Sequence, residues 1–250
     1  MKQDEAMRIF FEIHHDNPQE GPGDFTSTRR AFSLLKDLPP LPHILDAGCG
    51  PGRQTFDLCR LTKGNIVAVD FHKPYVEALQ RKSKALGLTQ QITALLGDMR
   101  SFHFQPQTFD VIWSEGAIYH IGFKTGLAMW KPLLKKGGYV AVTEVAWLGS
   151  DAPDKLRAFW DSAYPQIQDI DGNIADLRAA GYQPQAHFTL PESAWWDYYR
   201  AIEKRVLQMM EKYKNNSCAL EVLETEMREI DLFREYSDYY GYVFFIAQAL

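Results

Sequence analysis

One glycine run and three acidic residues set behind short apolar runs are the positions in this 250-residue chain best suited to chemistry. In Ile44-Leu45-Asp46-Ala47-Gly48-Cys49-Gly50-Pro51-Gly52, an apolar strand candidate leads into an acid and three alternate glycines, and a helix is expected to begin near Arg53. Glycine is needed where the backbone takes unusual dihedrals or where a ligand must approach with no Cβ in the way. A strand, a Gly-rich turn and a helix in succession aim helix N-terminal N–H groups at a bound polar group. The chemistry this predicts is the holding of an adenosine-containing cofactor. Asp70, about twenty residues past the glycines, closes a second apolar run, where a carboxylate can accept from both ribose hydroxyls or else cap a helix starting near Pro74. Gly97-Asp98-Met99 follows a third run; taken alone, Gly-Asp is a common turn.

The elements that must position these residues form a regular alternation. Apolar runs at 43–47, 66–70, 92–96, 110–114 and 139–145 are nearly continuous, as expected for parallel strands covered on both faces. Helical patterns lie between them, among them 74–86, stopped by Gly87, and 125–134, stopped by Lys135-Lys136-Gly137-Gly138. The βαβ rhythm predicts an open, doubly wound sheet with right-handed crossovers. Two helices precede it, the second over 26–38 and ended by Pro39-Pro40, with a turn-rich connector at 17–23. Beyond the fifth strand come helical patterns at 152–163 and 173–180 and a strand-like run at 185–190. Two long helices follow at 192–213 and 218–236, broken at Asn215-Asn216, and β-formers close the chain at 242–248.

Two further segments complete a pattern. Phe109-Asp110-Val111-Ile112-Trp113-Ser114-Glu115 ends the fourth strand on a small and an acidic residue, and Trp130–Glu144 reads WKPLLKKGGYVAVTE into the fifth. With D-x-G-x-G-x-G at Asp46–Gly52, Asp70 and Asp98, this order resembles the class I S-adenosylmethionine (SAM) dependent methyltransferases. It is closest in style to the small-molecule branch that includes the ubiquinone/menaquinone-biosynthesis C-methyltransferases. WSEGAIYHIGF and YYGYVFFIAQ resemble a bacterial subgroup known only as methyltransferases of unassigned substrate. The likeness implies one domain over 1–250 with a Rossmann-like seven-stranded α/β sheet of order 3-2-1-4-5-7-6, its last strand antiparallel. A helical cap would occupy 1–40, and a helical insertion at 191–238 would act as a lid or a dimer face.

The resemblance implies SAM as cofactor and S-adenosylhomocysteine (SAH) as product. Cofactor contacts would fall on Asp46, Gly48, Cys49, Gly50, Gly52, Asp70, Phe71, Asp98, Met99, Ser114 and Glu115. Asp70 would take the ribose, Phe71 would stack on the adenine, Asp98 would accept its exocyclic amine, and the Met99 N–H would read the ring. Glu115, Tyr119 and His120 are the catalytic candidates, with Glu115 or His120 taking a proton if the acceptor must lose one. A surface or packing role remains open for His120, and a helix-capping role for Glu115. Glu144 and Trp147 emerge beside them on the fifth strand. The aromatic set Trp195, Trp196, Tyr198, Tyr199, Tyr239, Tyr240 and Tyr242 would either wall an acceptor pocket or fill the core.

Composition narrows the rivals. A net charge of −5 without a basic stripe speaks against a nucleic-acid partner. No [DNS]-P-P-[YFW] follows the fourth strand and no Pro-Cys occurs, so the nucleic-acid-modifying branches lack their signatures. Arg53 stands where the nicotinamide and flavin fingerprint requires its third glycine, which disfavours a dehydrogenase. A non-catalytic SAM-binding protein of the same fold remains the rival of another class. Three cysteines without a C-x-x-C pair predict a reducing compartment and no structural zinc. No signal-peptide pattern opens the chain, and no apolar run approaches the ~20 residues of a membrane span. The expectation is a cytoplasmic enzyme with an unidentified small-molecule acceptor, no bound metal, no stable membrane insertion and a possible homodimeric state.

Overall fold

The computed structural model describes residues 2–250. Helices α1 (Lys2–Ile13) and α2 (Phe25–Ser33) precede an alternating array of β1 (His43–Ala47), α3 (Arg53–Leu61), β2 (Asn65–Asp70), α4 (Lys73–Ala85), β3 (Ile92–Leu96), β4 (Phe109–Ser114), α5 (Phe123–Trp130) and β5 (Leu134–Trp147). The chain continues through α6 (Asp154–Ala163), β6 (Gln168–Asp169), α7 (Ile170–Ala179), β7 (Tyr182–Thr189), α8 (Glu192–Lys212), α9 (Ser217–Tyr236) and β8 (Tyr240–Ala249). The sheet runs β3-β2-β1-β4-β5-β8-β7, with β8 antiparallel to both neighbours. This is the expected 3-2-1-4-5-7-6 order. An eighth strand, β6, pairs parallel with the far end of β5 through Ala146–Gln168 and Trp147–Asp169. Two polar residues carry no β periodicity, so nothing in the sequence announces that strand.

Both faces of the sheet are covered, which explains the continuous apolar runs. Along β4, Val111 and Trp113 point into one core while Ile112 points into the other; along β8, Phe244 and Ile246 alternate in the same way with Val243 and Phe245. The first core packs α1, α2, α8 and α9, and the second packs α5 and α7. Each fully buried side chain of this size contributes about 1.5–3 kcal/mol. At the exposed edge, β3 keeps Ile92 and Ala94 inward and leaves Leu95 and Leu96 facing solvent.

Several boundaries differ from those expected. Helix α2 stops at Ser33 instead of reaching 38, because the Leu34 N–H turns back to the Ala31 carbonyl and Ser33 Oγ donates to Arg30 O. Asp37 then takes a left-handed φ of 55°. Helix α5 ends at Trp130 and tightens into a 3₁₀ turn over Lys131–Leu133, since Pro132 has no N–H to continue the ladder. Strand β5 begins at Leu134, five residues before the expected start at 139, and carries an irregularity opposite Phe109 and Val111. The break at Asn215-Asn216 is a helix start: Asn216 accepts from Ala219 N at 3.1 Å and caps α9.

The segment after β7 joins the N-terminal helices in one roof over the C-terminal edge of the sheet. Tyr213 donates to Glu12 at 2.8 Å, Lys212 pairs with the same carboxylate, and Asn216 Nδ2 donates to Glu5 at 2.8 Å. Trp195 of α8 stacks on Phe233 of α9 with centroids 4.4 Å apart.

Candidate active site

The turn after β1 is strapped to the end of β2. Gly48 N and Cys49 N both donate to Val69 O, at 2.9 and 3.0 Å, and Gly50 N donates to Asp70 Oδ2 at 2.8 Å. Gly48, Gly50 and Gly52 all have positive φ, at 74°, 52° and 94°. A Cβ on Gly48 would lie 2.4 Å from Ala117 Cβ, and one on Gly52 would lie 2.5 Å from Leu79 Cδ1. These two glycines let α4 and the segment after β4 close against the turn. At Gly50 a Cβ would meet only Glu20, at 3.5 Å, so this is the residue whose backbone borders open space.

Asp46 sits behind the turn, fully buried. It accepts from Thr55 Oγ1 at 2.5 Å and Gln54 Nε2 at 3.5 Å, and Gln54 also donates to Cys49 O. Burial pushes its carboxyl up to about 7. Asp46 therefore braces the turn from beneath and does not border the cavity above. Gly52 and Ser114 share that position: Gly52 packs on Leu79, and Ser114 Oγ donates to Ala47 O at 2.8 Å, tying β4 to β1.

Above the turn lies a cavity of about 1090 Å³. One half is bordered by Gly48, Cys49, Gly50, Asp70, Phe71, Asp98 and Met99, gathered from the ends of β1, β2 and β3. Asp70 is 8% exposed; its two oxygens accept from Gly50 N and His72 N, leaving lone pairs for a ligand. Phe71 stands at the rim, 62% exposed. Asp98 borders the cavity but is engaged by Arg100, whose Nε and Nη2 both donate to it, the latter at 2.7 Å. That pairing lowers its carboxyl pKa. An adenine amine at Asp98 would have to share the carboxylate with Arg100. Burial pushes the Cys49 thiol well up, so it is a packing group and not a nucleophile.

Glu115, Tyr119 and His120 all border the cavity. Glu115 Oε1 accepts from Thr28 Oγ1 and Trp113 Nε1, each at 2.8 Å, and Oε2 accepts from Arg53 Nη2 at 2.8 Å. Arg53 also reaches Asp57 at 3.0 Å. Glu115 thus joins α2, α3 and β4 at one point. Tyr119 is half-buried, and burial beside Glu229 and Glu226 raises its phenol pKa. His120 is exposed at the rim, and the packing around its ring lowers its pKa, favouring the neutral imidazole.

The other half of the cavity is formed by the roof. Trp195, Tyr198 and Tyr242 border it, whereas Trp196, Tyr199, Tyr239 and Tyr240 pack away from it; Glu144 and Trp147 also lie outside its lining. Sequence reasoning missed His14, Glu20, Trp160, Tyr164, Glu226 and Glu229, all of which border this space. Glu226 and Glu229 lie three residues apart on one face of α9, but other polar residues of that helix show the same spacing, so no sequence signal singles them out. His14 precedes, and Glu20 lies within, a connector that reads only as a turn. Among the described residues there is no cluster of His, Cys, Asp and Glu able to hold a metal ion.

Residues 44–138 match the family model described as a methyltransferase domain. The chain is 31% identical over 114 residues to a sterol 24-C-methyltransferase of Clavispora lusitaniae, covering 45% of this chain and 30% of the relative. Phosphoethanolamine N-methyltransferase 3 of Arabidopsis thaliana is 26% identical over 189 residues, covering 75% and 37% respectively. The chain thus spans about a third of the length of these curated relatives. A SAM-dependent methyltransferase from Thiobacillus denitrificans, solved with SAH, superposes with a TM-score of 0.82 at 19% identity over 97% of this chain and 98% of its own. The fold around the methyltransferase domain, roof helices included, is therefore one already seen in that enzyme.

Proposed function

We propose that this chain is a SAM-dependent methyltransferase acting on a small-molecule acceptor. The observation that carries the reading is the turn at Gly48–Gly52 joined to Asp70 through the Gly50 N–H, opening on a cavity large enough for two ligands. The residues present fit the donor: a glycine faces open space where its backbone would approach, a buried carboxylate stands beside it for the ribose, and an aromatic ring stands at the rim. In this reading Gly48, Cys49, Gly50, Asp70, Phe71, Asp98 and Met99 hold the donor. Asp46, Gly52 and Ser114 keep the turn and strand ends in place from outside the cavity, and Glu115 does so from its border.

SAM supplies an activated methyl on a sulfonium whose departure leaves a neutral thioether. The chain's task is then to orient the two partners and exclude water, which can account for much of the acceleration. Tyr119, Tyr198 and Trp195 offer ring faces to a developing positive charge. His120, held toward the neutral form, is the residue at the rim able to take a proton. Helices α8 and α9, with α1, serve as the lid, because their residues border the same cavity as the glycine turn.

Calorimetric titration with SAH tests this. The native chain binds it, and Asp70→Ala lowers affinity at least tenfold with the thermal unfolding transition still present. No heat of SAH binding to the native chain would overturn the proposal.

A further inference from the structure

The acceptor half of the cavity carries more carboxyl groups than uncommitted basic groups. Glu226 and Glu229 border it beside Tyr119, Tyr198 and Trp195. Both arginines of the cavity are committed elsewhere: Arg53 to Glu115 and Asp57, Arg100 to Asp98. Among the described lining residues no lysine is present. Two histidines border the cavity, His120 at the rim and His14, 2% exposed, whose Nδ1 lies 2.6 Å from Glu20 Oε2. Its Nε2 has no hydrogen-bond partner and lies 3.9 Å from Glu226 Oε2. A single positive charge on His14 would offset one of Glu20, Glu226 and Glu229 and leave two.

Resting on the methyltransferase reading above, we propose that the acceptor is an amine, held as an ammonium by Glu226 and Glu229 within the cage of Tyr119, Tyr198 and Trp195. Carboxylates facing aromatic rings form the pattern that binds ammonium and quaternary ammonium groups, since the ring faces are negative and the acids supply full charge. A neutral apolar acceptor would strip water from two carboxylates and return nothing. A phosphate or diphosphate acceptor would meet these acids with no uncommitted Lys or Arg among the described lining residues. The acceptor proposed here therefore shares the amine named for the phosphoethanolamine relative but not its phosphate.

Burial and the neighbouring Glu229 hold the Glu226 carboxyl up at about 7, and burial raises Glu229 as well. A carboxyl poised there can take the proton that a primary or secondary ammonium must lose. The freed nitrogen lone pair then forms the C–N bond as the C–S bond breaks, and the electron pair leaves with sulfur as neutral thioether. The product is the N-methylated ammonium, and the proton on Glu226 returns to solvent.

The test uses the full chain saturated with SAH and calorimetric titration with tetramethylammonium, choline and benzyltrimethylammonium, each beside its neutral carbon isostere (neopentane-type replacement of the trimethylammonium head). At least one cation binds tenfold or more tightly than its isostere. The double variant Glu226→Gln with Glu229→Gln reduces that preference below threefold while SAH affinity stays within twofold. Equal binding of every cation and isostere to the native chain overturns the proposal without touching the SAH reading, and needs no variant to fold. A preference that persists in the double variant also overturns it. Loss of SAH binding by the native chain would instead remove the methyltransferase reading itself.

Discussion

Glu115 accepts hydrogen bonds from Thr28, Trp113 and Arg53, so three of its roughly four acceptor sites are taken by the protein before any ligand arrives. A general base needs a free lone pair directed at the acceptor proton, and such a pair is better provided by Glu226 or His120. Glu115→Gln keeps the shape but leaves the partly buried Arg53 guanidinium without its closest anion. Urea denaturation should show a loss of about 2 kcal/mol. The pH profile of turnover should keep its position, because the proton carrier is elsewhere; a displaced profile would return Glu115 to the chemistry. Gly52 offers a second residue-scale case. Gly52→Ala forces a side chain at φ 94° and onto Leu79, so the same experiment should show about 2 kcal/mol of destabilisation.

Helices α8 and α9 replace what the fold family resemblance would make a short connection, and their placement links two ends of the chain. Glu12 and Glu5 of α1 receive Tyr213, Lys212 and Asn216, and Trp195 stacks on Phe233. In the proposed lid role α1 and α9 part locally, a lower-energy event than unfolding the sheet. Hydrogen exchange followed by mass spectrometry should show added protection across α1 and residues 216–229 when SAH binds, with β4 and β5 unchanged. Equal exchange of α9 with and without SAH would reduce these helices to a static wall.

Charge governs the behaviour of the whole molecule. Asp46, Glu144 and Glu226 are each pushed up by burial, to about 7, 8 and 7. Their folded pKa values lie above ordinary carboxyl values, so the folded chain holds more protons than the unfolded one between about pH 4 and 8. Their contribution to stability is present at the acid end of that window and is lost as pH rises through it. Asp46→Asn removes one such proton site. Its stability relative to the native chain should therefore rise with pH, by at most about 1.4 kcal/mol per unit, in urea midpoints measured from pH 4 to 8. A difference independent of pH would show that Asp46 keeps an ordinary pKa. The net charge of −5 and the acidic cavity also predict no retention of bulk tRNA or DNA in filter binding at about 0.15 M salt.

The strands themselves, the glycine turn and the acid closing the second strand were legible in the sequence because each depends on neighbours in the chain, whereas the order of the strands was an implication of the family resemblance. Buried parallel strands must be apolar throughout, and a turn that brings backbone against backbone must be glycine. What only the folded molecule decided was the set of groups brought together across long separations. His14, Glu20, Trp160, Tyr164, Glu226 and Glu229 come from four separate segments and share a cavity only because α1, α6 and α9 converge over one edge of the sheet. Packing of α2 and α3 against the end of β4 likewise turned Glu115 into a stay. Local periodicity specifies which face of a helix is buried; it does not carry the identity of what that face will meet.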